Sequence, residues 1–271
     1  MKSYQVENLK KTLNLILDQC RLIIQTNKNF RSWTKNTPKG SNEIVTSVDI
    51  EIEAALSSQL LKEYPTASIL GEEKHTDANA LKADLCFIID PIDGTKEFLA
   101  GRSTYAISVA VLQAGGLEVG VLDFPSQRLR FWSEKGQGAT VNDSDIHVTT
   151  EHRLDKLKIG VSPMQAQSAC FNTVKDQLKT SAFIPMGTLT AKVCAVAKGD
   201  FDAAFYLGGP DQMFPLWDFA ACGLVLAEAG GRFTSLDGSE ILTTLPILSN
   251  TGWLATNGHC HQMMLNLLGK D

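Results

Sequence analysis

A short apolar run that ends in two closely spaced carboxylates constrains the fold of this chain more than any other feature. The run reads CFII at residues 86–89, which has the length and composition of a buried strand, and DPIDGT follows at residues 90–95. Pro91 lacks a backbone N–H and favours an extended conformation at Asp90, so the strand should end here. Asp93 begins a turn, after which a helix can start. The pattern predicts a buried strand that delivers two acidic side chains to a turn.

The two carboxylates of this turn suggest a cation site. Asp90 and Asp93 are three residues apart across a turn stiffened by Pro91, so their side chains can converge on one point. Two anionic groups held close together repel each other unless a cation or a proton neutralises them. A hard divalent cation such as Mg²⁺ prefers oxygen ligands and keeps waters that a substrate or nucleophile can use. The alternative is that both residues only shape and cap an ordinary strand-to-helix connection.

An ordinary globular composition excludes several classes of protein. The chain has 271 residues, of which 44% are hydrophobic and 20% charged, which is enough for a sizeable core. Its formal net charge of −5 predicts that no nucleic-acid polymer is bound. No apolar run approaches a membrane span, and residues 1–12 lack the apolar segment of a signal peptide. The six cysteines form no closely spaced pair, so a zinc or redox motif is not expected and a cytoplasmic protein is favoured.

The first part of the chain, residues 1–145, has the pattern of an α+β unit. Apolar residues at helical spacing and short apolar runs bounded by turn residues distinguish its helices from its strands. Residues 36–42 and 74–84 are rich in turn or polar residues and are predicted to be loops. The predicted helices are 5–28 and 47–63, and the predicted strands are 67–70, 86–89, 105–112, 117–124 and 128–133.

The second part, residues 146–271, has a different pattern, in which strands and helices alternate as in α/β proteins. The polar stretch 142–154 separates the two parts, so we place a domain boundary at residues 145 and 146. A layered α/β sandwich with its site in the cleft between the two halves is therefore expected. The predicted strands are 157–161, 183–184, 201–206 and 253–256, and the predicted helices are 165–179, 188–198, 217–229 and a last one after residue 261.

Three further acidic positions have surroundings similar to those of the central turn. Glu72 follows a strand-like run and Gly71, where the backbone can turn sharply. Asp218 opens an apolar helix of small residues, and Asp49 lies early in another helix. Each has a purely structural alternative, because adjacent loop glutamates are usually solvated and an aspartate at a helix start satisfies free N–H groups.

Taken together, these motifs resemble those of the inositol monophosphatase superfamily. This superfamily contains Mg²⁺-dependent, often lithium-sensitive phosphatases, among them inositol monophosphatases and 3'(2'),5'-bisphosphate nucleotidases. The motifs occur in family order at family-like spacing and span nearly the whole chain. The resemblance implies the α/β fold of a sugar phosphatase, a layered α-β-α-β-α sandwich. The matching segments are VTSVD at 45–49, GEE at 71–73, DPIDGT at 90–95, WD at 217–218 and EAGG at 228–231.

The resemblance also implies which residues hold the metal ions. Two Mg²⁺ ions are expected, with Asp90 bridging them, and a weaker third site near Glu72. The implied ligands of the first ion are Glu72, Asp90 and the carbonyl of Ile92, and those of the second are Asp90, Asp93 and Asp218.

Catalytic roles follow from the same resemblance. Thr95, hydrogen-bonded to Asp49, would orient the attacking water and, together with Glu72, help to deprotonate it. The backbone N–H groups of Gly94 and Thr95 would bind the phosphate, and Asp218 would also line the substrate wall. Metal ions that neutralise the phosphoryl oxygens make a covalent phospho-enzyme unnecessary, so the lack of an activated cysteine or serine is no objection.

The substrate is the open point of this resemblance. KEF at residues 96–98 and Lys192, which could meet a second phosphate, resemble the bisphosphate nucleotidases, which convert adenosine 3',5'-bisphosphate to AMP and phosphate. GVLDFP at 120–125 and GQGA at 136–139 instead resemble inositol monophosphatases. We favour the nucleotidase slightly, with inositol-1-monophosphatase as the alternative and a catalytically silent binding scaffold as a remote one.

The wall of the pocket opposite the metal ions departs from both groups. Residues 207–216 form a longer loop than the equivalent inositol-binding loop, and Asp211 is the nearest counterpart of the polyol-binding glutamate. The expected ligand is a small phosphorylated metabolite. A homodimer is compatible with the resemblance, although no sequence feature indicates an interface.

Overall fold

A computed structural model describes residues 3–36, 42–74, 77–178, 182–208, 214–241 and 252–269. The helices are α1 (Ser3–Thr26), α2 (Ser47–Glu63), α3 (Thr95–Leu99), α4 (Ala169–Leu178), α5 (Leu189–Ala197), α6 (Leu216–Glu228) and α7 (His261–Leu268). The strands are β1 (Ser32–Asn36), β2 (Asn42–Thr46), β3 (Ser68–Gly71), β4 (Leu85–Asp93), β5 (Ala106–Gln113), β6 (Gly116–Phe124), β7 (Leu129–Glu134), β8 (Gly138–Val141), β9 (Ser144–Ile146), β10 (Lys158–Val161), β11 (Ala182–Pro185), β12 (Ala203–Tyr206), β13 (Arg232–Ser235) and β14 (Trp253–Thr256).

The described helices and strands stack in five layers. Helices α1 and α2 pack on one face of a 7-stranded sheet, where their apolar residues form one buried cluster with the sheet. Helices α5 and α6 lie between this sheet and a 5-stranded sheet and share a second cluster with both. Helices α4 and α7 cover the outer face of the smaller sheet in a third cluster. The prediction of a layered α-β-α-β-α sandwich is confirmed.

The two large sheets differ in strand direction. The larger has the order β3-β4-β5-β6-β7-β8-β9, with β3 and β4 parallel and the other neighbours antiparallel. The smaller has the order β11-β10-β12-β14-β13 and is parallel only around β10. The chain changes sheet between Ile146 and Lys158. The division into two domains at residues 145 and 146 stays a prediction.

Some elements were missed in the sequence. β1 and β2 pair as an antiparallel hairpin around the predicted loop, whose central residues 37–41 lie outside the described part. Strand β1 reads SWTKN and has little apolar character, so its pairing with β2 is what defines it. The short strands β8, β9 and β13 were missed as well, because each has only three or four residues, too few for an apolar pattern to show. His261, expected in a loop, is instead the first residue of α7.

Two structural features bear on the predicted cytoplasmic location, namely the apolarity of the helices and the state of the cysteines. None of the described helices combines the length and the apolarity that crossing a membrane requires. All six cysteines are free thiols, and Cys170 alone among them is exposed. A cytoplasmic location stays a prediction.

A buried ion cluster attaches α1 to the larger sheet. Asp123 on β6 has no exposed side-chain surface, and its two oxygens accept hydrogen bonds of 2.7 Å from Nε and Nη2 of Arg21 on α1. Arg130 on β7 donates to the same carboxylate at 2.7 Å and also contacts Asn14 of α1. Because charged groups leave water only at a cost, this carboxylate depends on its two guanidinium partners.

We expect Asp123→Ala to lower the free energy of unfolding by about 3 kcal/mol, because two partly buried guanidinium groups lose the carboxylate between them. Among the described residues, Arg130 then keeps only Asp18 as an ion-pair partner. The matched control is Asp143→Asn, which removes an ion pair to Lys10 of the same helix from a side chain that is 79% exposed. Asparagine, unlike alanine, tolerates the φ angle of +62° at this position. That control should cost less than about 1 kcal/mol. Urea unfolding of both variants measures the difference, and equal losses would contradict the buried cluster's role.

Candidate active site

The alternation of side chains along β4 directs Asp90 toward the middle of the molecule. Cys86 and Ile88 pack in the cluster that contains α5 and α6, whereas Phe87 and Ile89 pack in the cluster of α1 and α2. Asp90 continues the first set, because side chains two residues apart on a strand share a face. The carboxylate is buried, with 1% of its residue surface exposed. The predicted strand therefore ends with a charged group inside the protein.

An irregularity in β4 places the second carboxylate on the same face. Residues three apart on a regular strand point in opposite directions, but the register between β4 and β5 shifts between Asp90 and Asp93. Ile92, inside this irregularity, packs in the cluster of α1 and α2. Asp93 interacts with Thr188 at the start of α5. The shift therefore directs both acidic side chains to the central helical layer.

Gly94 is required by the close approach of this turn to α5. Its φ angle of +90° lies in the left-handed region, and a Cβ atom there would lie 2.3 Å from Cγ2 of Thr188. Thr188 is the N-cap of α5 and accepts a hydrogen bond of 3.1 Å from the backbone N–H of Ala191. The turn after β4 and the start of α5 thus pack against each other, with α3 beginning at Thr95.

Four carboxylates influence one another at this point. Burial raises the pKa of Asp90 well above its usual range, and the charges of Glu72, Asp93 and Asp218 raise it further. Burial also raises the pKa of Asp93 to about 7, although hydrogen bonds from Thr188 and Thr190 oppose this. Asp218, in the first turn of α6, is thus brought close to the acidic turn, from which it is far apart in the chain.

Glu72 is held by a lysine that the sequence did not single out. Lys35 on β1 places its Nζ atom 3.3 Å from Oε1 of Glu72 and 2.8 Å from Oε1 of Glu73. Burial raises the pKa of Glu72 to about 7, and the charge of Lys35 opposes that rise. Lys35 precedes a loop-like stretch, and only the unrecognised pairing of β1 with β2 could have indicated that it reaches the site.

Thr95 and Asp49 are brought together as the resemblance implies. Oγ1 of Thr95 lies 3.3 Å from Oδ1 of Asp49 and 3.3 Å from the carbonyl oxygen of Ile92. The other oxygen of Asp49 accepts hydrogen bonds from the N-cap residue Thr46, including one of 2.8 Å from its backbone N–H. Asp49 is almost fully buried, and burial raises its pKa. The dual role of Asp49 as a helix cap and a partner of Thr95 explains its position.

Of the two side chains predicted to bind the substrate away from the metal ions, Lys192 lies in the described part of the chain and Asp211 does not. Lys192 on α5 is buried, and its Nζ donates to the carbonyl oxygens of Met186 at 3.3 Å and Gly187 at 3.1 Å. The same atom lies 5.6 Å from the centre of the Trp253 ring. The charge of Lys192 also acts on Asp93. Asp211 lies outside the described residues, so its assignment stays a prediction.

The donor set fits a divalent cation, although it is not a closed cage. Within the described ranges, no three histidine, cysteine or acidic side chains form a group that could hold a metal ion as they stand. However, Oδ1 of Asp90 and Oδ2 of Asp93 are buried and have no hydrogen-bond partner. Buried carboxylate oxygens without partners are costly, and a cation with oxygen preference would satisfy them.

A cavity of about 660 Å³ lies beside the 5-stranded sheet, away from the acidic cluster. Its lining comes from α4, α7 and the end of β12, and includes Cys170 and Tyr206. None of the predicted site residues lines it. The acidic cluster, which has the unsatisfied oxygens, remains the stronger candidate for chemistry.

The stability of the metal-free protein should fall as pH rises through this cluster's titration range. Glu72 and Asp93 each have a pKa raised to about 7 in the folded chain, above the usual carboxyl range. Their protonated forms favour folding below about pH 4, and this stabilisation is lost as pH rises toward 7. Each group contributes about 1.4 kcal/mol per pH unit, so unfolding in EDTA should show a loss of roughly 2–3 kcal/mol per pH unit between about pH 5 and pH 7. Little further loss is expected above about pH 8.

Two comparisons accompany this measurement. Adding Mg²⁺ should restore stability at the upper end of the range, and Asp93→Asn should flatten the pH dependence. A metal-free protein whose stability is constant across the range would contradict the mutual repulsion of the carboxylates.

Known proteins similar to this chain were found by sequence and by structure. The sequence model of the inositol monophosphatase family matches residues 2–269. The SuhB protein of Neisseria meningitidis serogroup B is 35% identical over 211 residues, which cover 76% of this chain and 78% of that protein. The Nus factor SuhB of Escherichia coli is 33% identical over 207 residues, covering 74% and 75%.

A solved structure shows the same fold. The extragenic suppressor protein SuhB of Bartonella henselae superposes with a TM-score of 0.82 at 24% identity, covering 97% of this chain and 99% of that one. The fold, the family model and the order of the acidic motifs agree. The chain belongs to the inositol monophosphatase family.

Proposed function

We propose that this protein is a Mg²⁺-dependent phosphomonoesterase that hydrolyses a small phosphorylated metabolite. The observation that supports this most is the pair of buried, unpartnered carboxylate oxygens on Asp90 and Asp93. They lie next to the hydrogen-bonded pair of Thr95 and Asp49. Members of the inositol monophosphatase family are generally metal-dependent phosphatases, so family membership supports the reaction class.

The metal-binding residues in this proposal are Glu72, Asp90, Asp93, Asp218 and the carbonyl of Ile92. Bound Mg²⁺ would supply charge neutralisation for the phosphoryl oxygens and a lowered pKa for a bound water. The number of ions, two with a weaker third near Glu72, belongs to the proposal. Without metal ions, the negative carboxylates would repel a phosphate dianion. The substrate is therefore expected to bind only after the metal ions have bound.

The protein's own groups would orient the water and the phosphate. The hydroxyl of Thr95 donates a hydrogen bond to Asp49. The lone pairs of the same oxygen can then accept a hydrogen bond from the attacking water. The carboxylates of Asp49 and Glu72 are the available proton acceptors. Free backbone N–H groups at Gly94 and Thr95, where α3 starts, would donate to the phosphate.

For the substrate we propose a phosphate monoester with a single phosphate. Bisphosphate nucleotidase activity, the slight first choice from the sequence, was based on KEF at residues 96–98 and on Lys192, which could meet a second phosphate. The ammonium of Lys192 is instead buried and donates to two backbone carbonyls. The contacts of Lys192 thus remove one of the two arguments for a bisphosphate substrate. Hydrolysis of inositol 1-phosphate and lithium sensitivity stay predictions.

Asp90→Asn should lower Mg²⁺-dependent hydrolysis by roughly a thousandfold, which corresponds to about 4 kcal/mol in activation free energy. The substitution removes a charge at the centre of the proposed site with little change in volume. EDTA should abolish wild-type activity, and Asp143→Asn on the surface should leave it unchanged. Phosphate release from 2'-AMP, adenosine 3',5'-bisphosphate and inositol 1-phosphate measures activity and substrate preference together. Undiminished turnover by Asp90→Asn would refute the assignment of the site.

A second candidate function is a binding role as a Nus factor. It is favoured by the name of the Escherichia coli relative, which is 33% identical over most of both chains. Net charge alone predicted that no nucleic-acid polymer is bound, and the relative's name leaves that prediction unsupported.

If the chain acts as a Nus factor, it should co-purify with RNA polymerase from its own host, as we infer from the relative's name. Asp90→Asn should co-purify equally well, since binding does not need turnover. Tagged wild-type and Asp90→Asn protein can be compared by quantitative mass spectrometry, with an untagged lysate as the background. Recovery of polymerase no higher than that background would exclude this role.

A further inference from the structure

One face of the hairpin formed by β1 and β2 is turned toward the acidic cluster. Directly opposite residues of an antiparallel pair share a face, and so do residues two apart on a strand. Trp33 is opposite Val45, and Lys35 is opposite Glu43. These four side chains therefore lie on one face of the hairpin, which we call the inner face.

The contacts of this inner face show which way it points. The Nζ atom of Lys35 lies 3.3 Å from Oε1 of Glu72, one of the proposed metal ligands. Val45 is buried, with 1% of its surface exposed. The next residue, Thr46, caps α2 and hydrogen-bonds Asp49, the partner of Thr95. The inner face thus adjoins both the metal ligands and the residues proposed to orient the water.

Trp33 is the unusual member of this face. It is 45% exposed, whereas Trp132 is 8% and Trp253 is 1% exposed. Among the described residues, its ring stacks on no other aromatic ring and its indole N–H donates no hydrogen bond. A large apolar ring gains free energy when it is covered, so an uncovered indole beside a site is suited to bind a flat ligand.

We propose that Trp33 is a specificity-determining residue that stacks on the base of a nucleoside monophosphate. This rests on the proposed phosphatase function, because the ester phosphate must lie at Asp90 and Asp93. The leaving alcohol then extends toward the inner face of the hairpin. A planar heteroaromatic base gains from stacking on the indole, whereas the inositol ring is puckered and covered with hydroxyl groups. The proposal therefore favours a nucleotide over an inositol ester.

The test compares Trp33→Ala and Trp33→Phe with wild type on 2'-AMP and inositol 1-phosphate. Trp33→Ala should raise KM for 2'-AMP roughly tenfold and change kcat less than about twofold, because the base does not take part in bond breaking. Trp33→Phe keeps an aromatic ring and should retain most of the affinity. KM for inositol 1-phosphate should not change in either variant.

A second measurement uses the exposed indole itself. Nucleotide binding in the presence of Mg²⁺ should quench part of the tryptophan fluorescence of wild type, and Trp33→Phe should lose that part. Leu15→Ala is the matched control, because Leu15 is an exposed apolar residue of α1 with 67% exposure. It should match wild type in KM, in quenching and in melting temperature.

Several outcomes would overturn the proposal. Unchanged KM for 2'-AMP in Trp33→Ala would do so, as would an equal rise for both substrates, which would indicate that Trp33 only supports the hairpin. A wild-type enzyme that hydrolyses inositol 1-phosphate and not 2'-AMP would also overturn it. The proposed phosphatase function fails differently, through the absence of Asp90-dependent hydrolysis of every ester tested.

Discussion

The repulsion among buried carboxylates is the constraint on which the rest of this structure depends. Asp90 is surrounded by the charges of Glu72, Asp93 and Asp218, and burial makes the charges of Asp90, Glu72 and Asp93 harder to maintain. Above about pH 7, where Glu72 and Asp93 ionise, such a cluster destabilises the chain unless a cation neutralises it. The acidic residues are therefore best explained by metal binding at this site. The surrounding fold must hold them together against their mutual repulsion.

Helix starts contribute to holding this negative charge. Thr46 caps α2 and Thr188 caps α5, while Asp218 lies in the first turn of α6. Each helix start carries the positive end of its dipole, and the N-caps of α2 and α5 accept hydrogen bonds from first-turn N–H groups. Because α5 and α6 form the central layer, their first turns meet the end of β4 from the side of the smaller sheet. A phosphate ester that enters this region would meet the same positive dipole ends.

The hairpin of β1 and β2 adds a different kind of control. Lys35 brings a positive charge to Glu72 and Glu73, and Trp33 places an apolar surface on the same face of the hairpin. In the proposed function, Lys35 and Trp33 would not bind the metal ions or the phosphate, whereas the carboxylates would bind the metal ions. In that function, the carboxylate set would suit phosphate esters as a class, whereas the hairpin face would distinguish among their alcohols. This separation explains how one fold can serve several related substrates.

Local sequence determined the elements and the inventory of acidic groups. The apolar run before Asp90, the capping pattern that starts α2 at Ser47 and the glycine of the turn at Gly94 are all local signals, so they could be interpreted without the fold. Family resemblance then indicated which acidic residues belong together. No spacing rule alone could have joined Asp218 to a turn more than a hundred residues earlier.

Tertiary structure determined the directions of the charged side chains, because these depend on strand pairing and on burial. The register shift in β4 that turns Asp90 and Asp93 to one face arises from pairing with β5, and the approach of Lys35 to Glu72 arises from pairing of β1 with β2. Lys192 has the residue type of a phosphate ligand, yet packing in the central layer buries its ammonium against backbone carbonyls. A sequence records the charge of a side chain, but only packed neighbours determine the direction in which that charge points.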